Sequence, residues 1–432
     1  GDAVRAADLA ASTIARYEEL GEVRAAARCR TLLGRALRRG GRHTEAREAL
    51  TRAVADLRSD PAEDTVDALD ELAALENFAG TPGAAAANIE AVELAEGLAV
   101  GPSQMSAVLL DFAIYLVNST RVVESSMYLE RAAQLAEEGG SPELVALSLL
   151  NLANVQMMRE PSAAVETLRR GMATMRRSGD RNIVATATVN LVLALLDVGE
   201  WHEAAQAVDA ASQDPLTGDE PWIDLGALLL AALRGDVDRA TAELARLERL
   251  RSTEDLQEQG AMALADTYLA MAEGRLVDVL DHTRRVLSLR EGLGIGSDSM
   301  RLSWPVATRA ALELGRLEDA DELVAMLDAE LPGRLPPVMR AERELVRARL
   351  AVARGEERSG QALAEAVETM RLMSPPHLFA QGLLDLAAYL SDAGDGIGAA
   401  SAVDEAHAIG ERLGCRPVLD RAATLSADRL RV

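Results

Sequence analysis

The chain contains no lysine. All 45 of its basic residues are arginine, they face 69 acidic residues, and the formal net charge is −24. A domain that binds duplex nucleic acid needs a basic face to displace counterions from phosphates, so we expect no direct nucleic-acid binding. The missing lysine also excludes a Walker phosphate loop, which needs one beside its glycines.

Cysteines and long apolar runs are equally scarce. Cys29 and Cys415 stand at opposite ends of the sequence and cannot form a framework of disulfides. No uncharged apolar run reaches about 18 residues, the length of a membrane span. Asp111 interrupts the stretch 108–117, and no signal peptide opens the chain. We expect a cytoplasmic protein that does not enter a membrane.

Catalytic and metal-binding patterns are missing as well. The five histidines are scattered, and no His-Glu-x-x-His, Cys-x-x-Cys or Gly-x-Ser-x-Gly pattern occurs. The glycine-rich segment 292–296 follows no apparent strand and is interpreted as a linker. The sequence therefore predicts no enzyme activity, no cofactor and no metal.

What the chain does contain is a recurring phrase: a glycine, four mostly polar residues, and usually a small residue that opens a new helix. The phrase begins at Gly41, Gly199, Gly235, Gly274, Gly315, Gly355 and Gly394. The glycines lie roughly 36 to 41 residues apart, or about four times that, a period typical of stacked helical hairpins. Hydrophobic content is 49% but aromatic content only 3%, so small and aliphatic side chains would pack the helices.

Residues 22–57 show one such unit. Apolar residues three and four apart give each helix one stripe: Leu33, Gly34 and Leu37 on helix A, and Ala46, Leu50 and Ala53 on helix B. The same register recurs over 191–211 and 386–406. These residues resemble the tetratricopeptide repeat. The resemblance implies an all-α, right-handed superhelical solenoid of about ten helix-turn-helix repeats.

The phase of the repeat predicts how the chain is organised. Residues 1–20 are expected to be helix B of a truncated repeat, 21–416 the array, and 417–432 a C-terminal capping helix. Because the chain begins with glycine inside a repeat, we interpret it as a fragment of a longer polypeptide. Three turn-rich segments are candidate hinges, although such segments are usually simple loops: 213–221, 292–299 and 331–337.

The C-terminal segment 406–422 resembles the closing part of helical arrays in large actinobacterial signalling proteins. These include LuxR-type regulators of the MalT-like class and proteins that join a nucleotide cyclase or kinase to a STAND-type ATPase. The resemblance implies the ligand- or protein-binding sensor region of a bacterial ATPase-linked transcriptional or signalling regulator. One alternative is a self-association scaffold without a ligand, which would form a homo-oligomer. The other is an enzyme, for which the sequence offers no residues.

The groove lined by helix A is the predicted site for a protein or peptide partner or a small-molecule effector. Asn151, Asn154 and Asn190 stand near positions that hold peptide backbone in peptide-clamping tetratricopeptide domains. The alternative is that these asparagines only bond neighbouring helices.

Aromatic residues and one arginine complete the predicted groove: Tyr115, Trp222, Tyr268, Trp304 and Arg309. Trp222 and Trp304 are expected to open a helix A, where a tryptophan is more often a packing anchor than a ligand platform. Arg309 would form a positive patch with Arg301, Arg340 and Arg347, or these arginines belong to a charge-balanced helix surface.

Overall fold

The computed structural model describes residues 2–79, 81, 83–119, 121–214, 217, 220–253 and 255–429. Throughout this part of the chain the secondary structure is helical, without a strand. Contacts divide the chain into a first unit, residues 1–155 with 167–180, and a second unit, residues 156–166 with 181–432. The prediction of an all-α array of tetratricopeptide-like hairpins is confirmed.

The first unit begins with one helix and continues with hairpins. Its helices are α1 (Asp2–Glu19), α2 (Val23–Arg39), α3 (His43–Leu57), α4 (Glu63–Ala79), α5 (Ala84–Gly97), α6 (Pro102–Asn118), α7 (Val122–Glu138), α8 (Pro142–Met157) and α9 (Pro161–Ser178). The last two each place a few residues in the second unit. Each helix from α1 to α6 packs on the next one, and α2, α4 and α6 also pack in sequence on one another. Alternate helices therefore form a layer of their own.

The second unit repeats this arrangement. Its helices are α10 (Arg181–Val198), α11 (Trp201–Gln213), α12 (Pro221–Arg234), α13 (Val237–Leu247), α14 (Leu256–Ala272), α15 (Leu276–Ser288), α16 (Arg290–Leu293), α17 (Asp298–Glu313), α18 (Leu317–Asp328), α19 (Pro337–Ala353), α20 (Ser359–Met373), α21 (Pro376–Asp392), α22 (Gly396–Leu413) and α23 (Arg416–Arg429). Short 3₁₀ turns follow α13 and precede α19. Among its described residues, six hairpins are formed by packed consecutive helices: α10–α11, α12–α13, α14–α15, α17–α18, α19–α20 and α21–α22.

The glycine of the recurring phrase ends the first helix of each hairpin in a left-handed conformation. Gly41 has a φ of 76°, and the other six lie between 69° and 83°. The next residue donates its backbone N–H to a carbonyl five residues earlier, as Arg42 does to Leu37 at 2.9 Å. This is a Schellman termination, which favours glycine because a Cβ is strained at positive φ.

The expectation that the small residue opens helix B was wrong by about one turn. In six of the seven hairpins helix B begins two residues after the glycine, as at His43. The small residue therefore lies inside the helix, where Ala46 is 0% exposed. Close packing also explains the glycine on helix A. A Cβ at Gly34 would lie 2.4 Å from Cγ of Leu50, too close for any side chain.

The second unit closes on itself. Its last helix, α23, contacts α12, and the thiol of Cys415 donates to the carbonyl oxygen of Leu233 at 3.2 Å. Nearby, the buried Trp201 faces the ring of His377 with centroids 5.6 Å apart. The predicted capping helix is thus a closing element of this unit. Residues 430–432 of that prediction lie outside the described residues.

Closure buries the helices inside the second unit. Every residue is buried from Ile223 to Leu233 on α12 and from Gly260 to Ala270 on α14. Among the described residues one helix, α10, is long and apolar enough to cross a membrane, and 72% of that stretch is buried. A helix that is apolar on all sides is expected in such a core.

The three candidate hinge segments each hold a buried residue. Thr217, Ile295 and Leu335 are 1%, 7% and 4% exposed. Four residues of the first segment, 215, 216, 218 and 219, lie outside the described residues. Hinge motion at these segments stays a prediction.

Candidate functional site

In the first unit, polar side chains meet along the layer formed by α2, α4 and α6. Arg38 on α2 forms an ion pair with Glu71 on α4 at 3.0 Å, and Gln104 on α6 donates to Asp67 on α4 at 2.7 Å. Because each contact joins consecutive hairpins, these residues mark one continuous surface. We call it the helix-A face and define it by Arg35, Asp67, Asp70, Glu71 and Asp111.

Two carboxyl groups meet at the centre of the helix-A face. The side chains of Asp70 on α4 and Asp111 on α6 lie close enough for each carboxyl group to influence the pKa of the other. Burial and the charge of Glu71 raise the pKa of Asp111 to about 7. Burial also raises the pKa of Asp70 well above its usual value, and the charge of Asp111 adds to this shift. Asp111 is therefore partly protonated near neutral pH, and the two carboxyl groups titrate as a coupled pair.

Buried amides fix the position of this carboxyl pair. Asn77 donates through Nδ2 to the backbone carbonyl of Asp111 at 2.8 Å, and Asn88 donates to Oδ1 of Asn77 at 2.8 Å. Asn118 donates to the carbonyl of Asn77 at 3.2 Å. These bonds join α4, α5 and α6, so the two carboxyl groups are held on a rigid base.

Three predicted groove residues lie in the first unit. Tyr115, one turn after Asp111, is half-buried and stacks on Phe112 with ring centroids 6.0 Å apart. Asn151 is half-buried and donates to the carbonyl of Leu147 in its own helix at 2.9 Å, while Asn154 is exposed. These asparagines follow Asp111 and Tyr115 by about one repeat period. Their role in binding stays a prediction.

Two predicted aromatics of the second unit serve packing. Tyr268 is 3% exposed and donates through its hydroxyl to the carbonyl of Leu302 at 3.3 Å. Trp304 is 0% exposed and donates through Nε1 to the carbonyl of Leu323 at 3.0 Å. The expectation that Trp304 opens a helix was wrong. Pro305 lies inside α17, which begins at Asp298, so this proline does not mark a helix start.

The other two predicted residues of this unit differ in exposure. Trp222 does lie at the start of α12, directly after Pro221, and is half-buried. Asn190 lies within α10 and is 8% exposed. The structure thus places Asn190 among buried residues, and its contribution to a binding groove stays a prediction.

Arg309 belongs to a buried ion cluster centred on Asp385. The Asp385 side chain is 3% exposed, and Arg309 and Arg349 each contact its Oδ2 at 3.3 Å. Arg421 contacts Oδ1 of the same carboxylate. Burial alone would raise the pKa of Asp385, but these three guanidinium groups hold it well below its usual range. The four residues come from α17, α19, α21 and α23, so one carboxylate joins four helices.

A second buried ion pair joins α10 to α17. Nη1 of Arg301 lies 2.7 Å from Oδ2 of Asp197, and each side chain is 3% exposed. Nη2 of Arg301 also contacts Asp298 at 3.0 Å. Arg347, another member of the proposed positive patch, pairs with Glu344 at 2.8 Å. Arg301, Arg309 and Arg347 are therefore all ion-paired, which favours the charge-balanced interpretation.

Glu342 lies beside the Asp385 cluster without a hydrogen bond of its own. It is 2% exposed, and its Oε1 has no partner among the described residues. Burial raises its pKa to about 7: Arg309 partly opposes the shift and the charge of Asp385 adds to it. The carboxyl is thus partly protonated near neutral pH.

Glu342→Gln is expected to change the pH dependence of stability. The folded-state pKa lies above the unfolded value of 4.5, so the ionised carboxyl costs stability as pH rises from 4.5 through 7. Between pH 5 and pH 8, urea unfolding should show the variant gaining about 2–3 kcal/mol relative to the parent chain. Glu365→Gln, at an exposed position on α20, is the matched control and should show no such trend. A pH-independent difference for Glu342→Gln would contradict the prediction.

Sequence reasoning missed these buried carboxylates. Asp111, Asp197 and Asp385 each lie in a helix next to leucine: Leu110 precedes the first, Leu196 the second and Leu384 the third. An acidic residue inside an apolar stripe was the available signal. Among the described residues, no group of three or more His, Cys, Asp or Glu is placed to hold a metal ion.

Comparison with known proteins places this fold among helical repeats. No protein-family model matches the chain, and no curated protein matches it. The human IFIT1 dimer with m7Gppp-AAAA is similar with a TM-score of 0.49 and 14% identity, covering 93% of this chain and 90% of that chain. Rap protein complexed with Competence and Sporulation Factor has a TM-score of 0.47 and 10% identity, covering 94% and 99%.

A third solved structure is the apo form of the quorum sensor NprR from B. thuringiensis. Its TM-score is 0.44 and its identity 11%, over 94% of this chain and 98% of that chain. By its own helices and turns, the chain is an all-α protein built from tetratricopeptide-like helical hairpins.

Proposed function

We propose that this chain is a binding scaffold without enzyme activity, and that its first unit takes a partner polypeptide along the helix-A face. The observation that carries this proposal is the Asp70–Asp111 pair. Both residues are half-buried, and although the charges of Arg35 and Arg38 act on them, among the described residues no arginine donates a hydrogen bond to either carboxyl group. A partly buried carboxyl group without a hydrogen-bonded cation is costly for a fold, and a partner's cation would lower that cost.

The chemistry of the pair favours a partner with an arginine or lysine. A cationic group that reaches the pair favours the ionised form of both carboxyl groups. Asp67 adds negative charge on the same face, whereas Glu71 is already ion-paired with Arg35 and Arg38. Exposed apolar residues lie at helical spacing from the face, namely Leu32 at 57% and Phe78 at 75%. Their burial would add affinity that does not depend on charge.

Nucleic acid is the alternative class of partner, and charge argues against it. The net charge of −24 and the acidic helix-A face would repel a phosphate backbone. Solved IFIT1 structures hold short capped or triphosphate RNA, such as PPP-AAAA. An RNA of that kind therefore serves as the competitor in the binding experiment.

We further propose that this scaffold is the sensor region of a bacterial regulator linked to a STAND-type ATPase, as in LuxR-type proteins. Its support is the resemblance of residues 406–422 to the ends of arrays in such proteins. Partner binding on the helix-A face would then be relayed to regulatory domains elsewhere in the polypeptide. Determining the coding sequence on both sides of this segment tests the assignment: an adjoining ATPase domain supports it, and its absence overturns it.

Asp111→Asn is expected to weaken binding of an arginine-containing peptide by about 10-fold or more, because it removes a charge-assisted contact. The probe is a fluorescein-labelled 12-residue peptide of alternating arginine and leucine, measured by fluorescence anisotropy. Affinity in the parent chain should fall as pH drops below the Asp111 pKa of about 7, because protons then compete for the pair.

The matched control is Asp209→Asn, at an exposed aspartate of the second unit whose side chain is 62% exposed. It should leave affinity unchanged apart from a small effect of net charge. A glutamate–leucine peptide and PPP-AAAA should bind at least tenfold more weakly than the arginine peptide. Equal affinity of the parent chain and Asp111→Asn, or preferred binding of the RNA, would overturn the proposed site.

A further inference from the structure

A cavity of about 430 Å³ lies on the other layer of the array, in the second unit. It opens between α15 and α18, the second helices of consecutive hairpins, and α17 forms part of its base. Leu280, Leu287 and Ala307 line the base and are at most 8% exposed, while the half-buried Met326 lines a wall. The volume and the apolar base beneath a charged rim are compatible with a small-molecule site.

One lining residue has an unused polar group. Thr283 is 0% exposed, and its hydroxyl has no hydrogen-bond partner among the described residues. Four other buried helical threonines donate to the carbonyl four residues earlier: Thr31 at 3.3 Å, Thr188 at 2.8 Å, Thr267 at 2.8 Å and Thr308 to Trp304 at 3.1 Å. The Thr283 hydroxyl lacks this ordinary bond, and a buried hydroxyl without a hydrogen bond is costly for a fold.

The rim of the cavity is close to charge balance. Three carboxylates, Asp319, Glu322 and Glu330, surround it together with Arg284 and Arg290. Arg284 is engaged by Asp281 at 2.8 Å and by Asp319, while Asp319 also pairs with Arg316 and Glu330 with Arg334. A charged ligand of either sign would therefore gain little from the rim.

We propose that this cavity binds a compact, uncharged amphiphile: a branched or cyclic apolar body with one hydroxyl or carbonyl group. The apolar body would contact Leu280, Leu287, Ala307 and Met326. The polar group would form a hydrogen bond with the Thr283 hydroxyl after a rotation about χ1. This site lies in the second unit and is independent of the partner proposed for the helix-A face.

The experiment uses cyclohexylmethanol as probe, with saturation-transfer NMR and isothermal titration on the whole chain. The alcohol should bind saturably at a single site. Thr283→Val keeps the shape but removes the hydroxyl and should weaken binding about 3- to 10-fold. Met326→Trp should fill the cavity and abolish binding, and cyclohexanecarboxylate should bind at least fivefold more weakly than the alcohol.

Thr267→Val is the matched control, because it makes the same change at a fully buried threonine of α14 whose hydroxyl is already bonded. It should leave alcohol binding unchanged but lower the Tm by about 2–4 °C, whereas Thr283→Val should leave the Tm unchanged or raise it. Absence of saturable binding, equal affinity in Thr283→Val, or binding that survives Met326→Trp would each overturn the proposal.

Discussion

Arg301→Met is expected to lower the free energy of unfolding of the second unit by about 3–5 kcal/mol. Arg301 and Asp197 are each 3% exposed and lie 2.7 Å apart. Removing the guanidinium leaves the Asp197 carboxylate in a buried site without its counter-ion. The pair also joins α10 to α17, two helices that are far apart in the sequence, so its loss weakens the packing of the whole unit. Urea unfolding followed by circular dichroism measures the effect.

The double variant Asp197→Leu with Arg301→Met distinguishes the cost of an unpaired buried charge from the loss of packing contacts. It removes both charges and should recover most of the lost stability, because buried ion pairs are often no better than apolar contacts of similar volume. Glu405→Gln is the surface control: it breaks a pair with Arg371 in which both side chains are 39% exposed, and should cost at most about 1 kcal/mol. A small effect of Arg301→Met, similar to that of the control, would show that the buried pair contributes little.

The fold was predictable from the sequence because its determinants are local. The glycine at the end of helix A, the small residue inside helix B and the apolar spacing recur with one period. Gly41 and Gly34 illustrate the two requirements, a positive φ and a close helix approach. Each hairpin needs only its own residues and those of its neighbours, so a repeated pattern is sufficient. The exact start of helix B was missed because the Schellman turn places it nearer the glycine than the polar residues suggest.

Closure of the second unit was not predictable in the same way. Arg301 contacts Asp197 across 104 positions, and Cys415 contacts Leu233 across 182. Such pairs depend on how many repeats complete one turn of the unit, which a period alone does not determine. As a result, Tyr268 and Trp304 were predicted to line a groove, although the closed unit buries both. Arg309 was predicted for its charge, and its partner Asp385 was missed.

In the first unit the sequence indicates candidate groove residues but not the chemistry around them. Asn151 and Asn154 were predicted from their resemblance to peptide-clamping positions and Tyr115 as an aromatic candidate, and their role in binding stays a prediction. The Asp70–Asp111 pair was missed because the two residues are 41 positions apart and only the packing of α4 on α6 brings their carboxyl groups together. Two acids at equivalent positions of consecutive hairpins were the signal, and it becomes informative only once the stacking is known.

Asp385→Asn is expected to destabilise the second unit by about 3–5 kcal/mol, because it leaves three guanidinium groups without their shared counter-ion. Arg309, Arg349 and Arg421 reach this one side chain from three other helices. Arg349 is the most sensitive of them. Burial and the neighbouring guanidinium groups already lower its pKa to about 10, and loss of Asp385 lowers it further. Chemical unfolding at pH 7 measures the loss.

The pH dependence of this stability loss tests whether the charge of the Asp385 carboxylate causes it. The folded-state pKa of Asp385 lies below its unfolded value of 3.8. The contribution of the ionised carboxylate to folding stability is therefore complete at pH values well above 3.8, and it is lost as pH falls towards the folded-state pKa. Because the charge of Asp385 also raises the pKa of Glu342, the comparison is made in a Glu342→Gln background. The difference in unfolding free energy with and without Asp385→Asn should then be constant from about pH 5 to pH 8 and should narrow below about pH 4. Asp321→Asn, which breaks an exposed pair with Arg354, is the matched control and should cost at most about 1 kcal/mol at any pH. A loss for Asp385→Asn that persists unchanged into acid would mean that the aspartate acts through its shape and hydrogen bonds, with its charge contributing little.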